Sequence, residues 1–68
     1  MEIVYVSSTN VNSIQYFEDL MILEVTYKDG TYQYDGVPII IYEELLVAPS
    51  IGAFMNQVIK PTYSCRRV

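Results

Sequence analysis

Leu20-Met21-Ile22-Leu23-Glu24-Val25-Thr26-Tyr27-Lys28-Asp29-Gly30-Thr31-Tyr32-Gln33-Tyr34 is the stretch whose reading decides the fold. Met21, Leu23, Val25 and Tyr27 recur at every second position, with Glu24 and Thr26 between them. Side chains alternate across a strand, so this spacing predicts a half-buried strand with one apolar face. Asp29-Gly30 then gives the strongest turn signal in the chain, because a two-residue type I′ loop needs positive φ angles that suit Asp or Asn followed by Gly. That loop sets Lys28 opposite Thr31, Tyr27 opposite Tyr32 and Val25 opposite Tyr34. Tyr32 and Tyr34 then project from the face that carries Val25 and Tyr27. The same register sets Glu24 opposite Asp35, a pairing of like charges that is unfavourable; a turn one residue longer is the alternative.

Upstream, Ile3–Val6 is a short β-prone run that ends at the polar cluster Ser7, Ser8, Thr9 and Asn10. Val11–Phe17 alternates, with Ile14 and Tyr16 on one face and Ser13 and Gln15 on the other, and Glu18-Asp19 suits a turn. Downstream, Gly36-Val37-Pro38 ends the sheet and starts a helix, since proline suits a first turn where its missing N–H costs nothing. Ile41, Leu45 and Ala48 recur at helical spacing until Pro49. Ser50 is a good N-cap for a second helix. Its Ile51, Phe54, Met55, Val58 and Ile59 form an apolar stripe opposite Ala53, Asn56, Gln57 and Lys60, and Pro61 is expected to end it. Thr62–Val68 reads as an extended tail that could add a strand. The expectation is one domain over residues 1–68, of α+β class: a small antiparallel β-meander of three to four strands followed by two short helices packed on one face. Val25, Tyr34, Leu45, Phe54 and Val58 are its expected core.

Composition excludes several chemistries. The 68 residues contain no His and one Cys, Cys65. One chain therefore cannot build a Cys/His zinc site, a Ser-His-Asp triad or a Cys-His pair. An internal disulfide is equally out of reach, so no oxidising compartment is implied, and Cys65 reads as a buried or idle thiol, with an intermolecular disulfide or a reactive thiol as the alternative. Adjacent carboxylates Glu43 and Glu44 diverge by about 100° on a helix and form no acid/base pair. No phosphate loop or metal cluster stands in the sequence. The protein is expected not to be an enzyme and to need no cofactor. Glu2 occupies the place of a basic leader, and the apolar run at Val37–Ile41 falls far short of the roughly 20 residues of a membrane span. A soluble, cytoplasmic protein is the expectation.

Tyr32-x-Tyr34, Gly36-Val37-Pro38, Tyr42, Leu45, Ser50-x-Gly52-x-Phe54-x-Asn56, Ile59-Lys60 and Tyr63 follow one another in an order and spacing that resembles the KTSC domain. The resemblance extends upstream through Ile14-x-Tyr16 to Ser7-Ser8. That family is named for the C-terminal domain of some lysyl-tRNA synthetases and also occurs as free-standing small proteins in bacteria and their phages. This chain resembles a stand-alone bacterial or phage member. The resemblance implies that the central YxY pair is a hallmark, and it brings with it a suggested RNA-binding role. The sequence departs from the basic pattern expected of many members. It is acidic, at a formal net charge of −4, and has no Lys or Arg between Thr31 and Val58.

The charge is unevenly distributed. All eight Asp and Glu and Lys28 lie in residues 1–44, whereas Lys60, Arg66 and Arg67 stand alone in residues 45–68. An anion is repelled by the first part and attracted to the last. Asn56, Lys60, Tyr63, Arg66 and Arg67 are therefore the candidate ligand-binding residues, supplying an amide, cations and a stacking ring. Arg grips phosphate bidentately. The bland alternative for the two arginines is a solvated chain end. Tyr32 and Tyr34 could stack on bases or pack beneath the helices. So few cations argue against duplex DNA, whose binding uses many phosphate contacts. The leading expectation is a non-enzymatic binder of a phosphate-bearing ligand: a nucleotide, cyclic nucleotide or short RNA. Its sharpest form is a phage protein sequestering a host signalling nucleotide, an anti-defence role. The alternative is an acidic inhibitor or adaptor acting through protein contacts. A domain this small has a thin core, so a homo-oligomer is expected.

Overall fold

A computed structural model describes residues 2–6 and 10–68 of the chain. Five antiparallel strands lie side by side in sequence order: β1 (Val4–Tyr5), β2 (Val11–Phe17), β3 (Ile22–Tyr27), β4 (Gly30–Tyr34) and β5 (Cys65–Arg67). Two helices intervene before β5. Helix α1 spans Ile39–Leu46, and α2 spans residues 51–62. The α+β meander is thus as read from the sequence, with one strand more than expected because the C-terminal tail returns to pair with β4.

The alternation in β3 places Leu23 and Val25 in the core beside Ile14 and Tyr16 of β2. Met21 does not join them. It adopts the left-handed conformation (φ 53°) at the end of a 3₁₀ turn, Glu18–Leu20, and its carbonyl accepts from the Val37 N–H. The hairpin lies where Asp29-Gly30 predicts, but its register is shifted. Tyr27 pairs with Gly30, Val25 with Tyr32, and Leu23 with Tyr34, so Lys28 and Asp29 form the loop. Asp29 keeps a negative φ, so the turn is not type I′; the positive φ is at Gly30, at 149°. The shift removes the facing of Glu24 and Asp35. Glu24 instead faces Gln33, whose amide donates to the Glu24 carboxylate at 2.9 Å.

Pro38 caps α1, and Tyr42 and Leu45 point inward. Tyr42 stacks on Tyr16 at 4.8 Å between ring centres, and the Tyr16 hydroxyl donates to the Val37 carbonyl. These contacts fix α1 over the β2 side of the sheet. Ser50 caps α2 as expected, its hydroxyl accepting from the Ala53 N–H at 3.2 Å. Pro61 does not end this helix, which continues to Thr62. The turn at Met55–Ile59 is π-helical, with the Lys60 N–H bonding to the Met55 carbonyl. In a regular helix the ring at 61 would strike the carbonyl four residues back, and the absent N–H would leave that carbonyl unpaired. Widening the turn just before it moves the carbonyls off that register.

Of the expected core, Val25, Tyr34 and Leu45 are buried, while Phe54 and Val58 are only partly buried against it. Met55 and Ile59 lie at the centre of the α2 stripe instead. No described helix is long and apolar enough to cross a membrane.

Candidate functional site

Register partners on neighbouring strands share a face, so the helix-facing side of the sheet carries Tyr27, Tyr32 and Tyr34, with Arg67 beside Tyr32 and Cys65 beside Tyr34. Where α2 passes the hairpin and β5, this side opens into a cleft of about 570 Å³. That size falls within the range of small-molecule sites. Its sheet wall is formed by the three tyrosines and Cys65. Its helix wall is formed by Gly52, Met55, Asn56 and Lys60 of α2. Lys28 and Asp29 of the hairpin loop and Asn10 and Val11 at the start of β2 complete the rim.

The tyrosines are coupled. Tyr27 and Tyr32 meet edge to face at 5.5 Å, and the hydroxyls of Tyr27 and Tyr34 share a hydrogen bond of 2.8 Å. Burial pushes the Tyr27 phenol well above the ordinary tyrosine range, and its hydrogen bond with Tyr34 adds to the rise. Burial also raises Tyr34, with the bond from Tyr27 acting against it. Both rings therefore present neutral hydroxyls near neutral pH. The Lys60 ammonium lies 5.2 Å from the centre of the Tyr27 ring, a cation–π contact that holds the charge over the cleft. Asn56, within the π-turn, and Lys60, directly after it, are exposed, while Met55 and Ile59 take the core. The irregular turn thus belongs to the element that furnishes the polar wall.

The seven residues expected to bind ligand divide into two groups. Tyr32, Tyr34, Asn56 and Lys60 meet in the cleft. Tyr63, Arg66 and Arg67 do not line it. Tyr63 packs half-buried against the core. Arg66 stands on the opposite face, opposite Gln33 in the register, where its guanidinium donates to the Asp35 carboxylate at 2.6 Å and to the Gln33 amide oxygen at 2.9 Å. This completes a polar row of register partners, Gln15, Glu24, Gln33 and Arg66, across the outer side of four strands. Arg67 reaches the hairpin loop and donates to the Asp29 carbonyl at 2.8 Å. Sequence proximity grouped the arginines with Lys60, but alternation along β5 sends successive side chains to opposite faces. The residues that sequence reasoning missed are Tyr27, Lys28 and Cys65. The shifted hairpin register would have pointed to the first two, and the repulsion between Glu24 and Asp35 was the available signal for that shift.

A five-stranded meander backed by two helices, with a tyrosine-walled cleft at the hairpin end, defines a small α+β domain. The chain belongs to the KTSC domain family, whose match covers residues 7–63. Ser7 and Ser8, at the upstream limit of that resemblance, lie outside the described residues. The fold is similar to the crystal structure of a KTSC domain protein from Yersinia pestis, at 38% identity and a TM-score of 0.94, covering 98% of this chain and 96% of that one. An uncharacterized protein of Stutzerimonas stutzeri is 38% identical over 64 residues, which are 93% of this chain and 90% of that protein.

Proposed function

We propose that the protein is a non-enzymatic binder of a small phosphate-bearing ligand, a nucleotide, cyclic nucleotide or short RNA, held in the cleft between α2 and the hairpin. The observation that carries this reading is the meeting of three tyrosines with Asn56 and Lys60 around one opening of about 570 Å³. Aromatic faces stack on bases whatever their sequence. An amide can read a base edge or ribose, and an ammonium can neutralise a phosphate. Burial raises the phenol pKa values of Tyr27 and Tyr34, so these two act as neutral hydrogen-bonding groups rather than bases, which suits holding a ligand.

A calorimetric titration with nucleotides, cyclic nucleotides and short oligoribonucleotides tests the reading. The expected result is binding by the wild type, loss of at least tenfold in affinity with Lys60→Met, and unchanged affinity with Arg66→Ala, whose side chain faces away. Retention of full affinity by Lys60→Met would move the site elsewhere. Failure of every ligand to bind would leave the acidic sheet as a docking face for a protein partner.

A further inference from the structure

We infer that the ligand's phosphate is received at the hairpin end of the cleft by Lys60 of α2 and Arg67 of β5, beside Tyr27; this rests on the nucleotide-binding reading above. Arg67 lies outside the lining, yet it belongs to the same side of the sheet as the register partner of Tyr32. From there its side chain runs toward the hairpin, where the guanidinium donates to the Asp29 carbonyl at 2.8 Å. Gly30 makes that path possible. A Cβ at position 30 would stand 2.9 Å from the Arg67 Nε and 3.0 Å from its Nη2, so the missing side chain gives the guanidinium its place. Gly30 is in turn the register partner of Tyr27, whose ring centre lies 5.2 Å from the Lys60 ammonium. One cation thus lies over Tyr27 and the other over the residue paired with it, on one face of the sheet.

Both charges are available to a ligand. Arg67 bonds a neutral carbonyl, which leaves its full charge and the remaining donors of its fork. Among the described residues the one salt bridge joins Arg66 to Asp35 on the outer face, so neither Lys60 nor Arg67 is paired with a carboxylate. Lys28 adds a third cation to the same end, and Asp29 is the one carboxylate in the lining. Three of the chain's four Lys and Arg therefore stand at this end of a protein whose net charge is −4. Unpaired cations gathered against an acidic background draw an anion to that place. The opposite end, by Tyr34 and a Cys65 thiol that is exposed rather than buried, has no Lys or Arg in its lining. Tyr27 and Tyr32 are half-buried and keep ring surface for the uncharged part of the ligand. Tyr34 is covered and serves to fix Tyr27 through their hydroxyl bond. Lys offers phosphate a point charge and Arg a bidentate fork, so the two grip its oxygens in complementary ways.

Calorimetry in magnesium-free buffer tests this placement. Each of the four ribonucleosides is titrated beside its 5′-monophosphate and its 3′,5′-cyclic monophosphate. For at least one base, a phosphate form should bind the wild type about tenfold or more tighter than the nucleoside. Arg67→Gln should weaken that phosphate form by about fivefold or more while leaving the nucleoside within about twofold of the wild type. Gly30→Ala, which crowds the guanidinium, should act in the same direction, with no further loss once Arg67→Gln is present. Arg66→Gln, on the outer face, is the control and should bind as the wild type does. Far-ultraviolet circular dichroism checks that each compared variant is folded. A phosphate form that binds Arg67→Gln as tightly as the wild type would overturn the place given to Arg67 and leave the nucleotide-binding reading standing. Equal losses for nucleoside and phosphate form would mark damage to the whole cleft and overturn the placement too. Absence of binding by every probe would overturn both readings.

Discussion

Two adjacent aliphatic residues on α2, Val58 and Ile59, offer the sharpest test of how that helix packs. Ile59 is fully buried, whereas Val58 is only partly covered. Truncating a fully buried Ile to Ala costs about 2–5 kcal/mol through lost transfer energy and the cavity left behind. Val58→Ala removes two carbon groups, each worth about 0.8 kcal/mol when wholly buried, so partial burial brings the cost to about 1 kcal/mol. At about 0.05–0.15 kcal/mol per residue, a 68-residue domain has a total stability of about 3–10 kcal/mol. Ile59→Ala thus removes a large share of the stability, and Val58→Ala a small one. Ile59→Val, at about 1 kcal/mol, gives a folded intermediate case and should lower the melting temperature by about 4–8 °C. Urea titration followed by far-ultraviolet circular dichroism suits a chain that lacks Trp. The expected order of destabilisation is Ile59→Ala far above Val58→Ala. If Val58→Ala proves the more damaging, the stripe is centred on Phe54 and Val58, and the packing described for α2 is wrong.

Gly30→Val should cost about 1 kcal/mol or more, because a β-branched residue resists the positive φ of 149° and its Cβ would stand 2.9 Å from the Arg67 Nε; an unchanged melting temperature would contradict this. Tyr34→Phe should cost about 0.5–1.5 kcal/mol by removing the hydroxyl that Tyr27 bonds, and a double-mutant cycle with Tyr27→Phe should recover part of it. Stability should fall in alkali. Tyr16, Tyr27, Tyr34 and Tyr42 all have raised pKa values when folded, chiefly through burial. Their contribution is full below the unfolded value near 10 and is lost as pH rises from there through the folded values, at about 1.4 kcal/mol per pH unit for each tyrosine concerned. Tyrosinate absorbance that develops fully near pH 10 without loss of stability would refute that account.

The parts of the fold that were legible in the sequence are those where local rules act alone. Alternation in Leu23–Tyr27 and the Ser50 cap act within a few residues, and both are as read. The hairpin loop lies one residue earlier than the turn chemistry of Asp29-Gly30 predicts, and Glu24 thereby escapes Asp35. The energies of the polar row favour Gln33 opposite Glu24, and those cross-strand contacts outweighed the turn preference. Pro61 misled for a similar reason: its rule assumes a regular helix, and the π-turn before it changes the geometry on which the rule depends. Half of the candidate site was legible, since Asn56 and Lys60 lie one turn apart and Tyr32 and Tyr34 alternate in phase. The arginines separate because the tail, which could add a strand, does so, and neighbours along β5 take opposite faces.

Strand β5 differs from the other four in how it is reached. Each of the others joins a neighbour adjacent in sequence, but β5 returns to β4 across residues 35–64. The backbone bonds from Asp35 N–H to Ser64 and from Val68 N–H to Thr31, each 2.9 Å, close that long loop. A three-residue edge strand with every side chain exposed is held by those bonds and by the Arg66 and Arg67 side-chain contacts, not by core packing. Detachment of β5 is therefore a local opening of the sheet that costs less than global unfolding. Amide hydrogens of the β4–β5 ladder should exchange with solvent deuterium long before those of β2 and β3. Because Cys65 of β5 forms part of the cleft wall, detachment of that strand opens one side of the cleft. Occupancy would then be recorded at a distance from the ligand itself, as slowed deuterium uptake along the last strand of the chain.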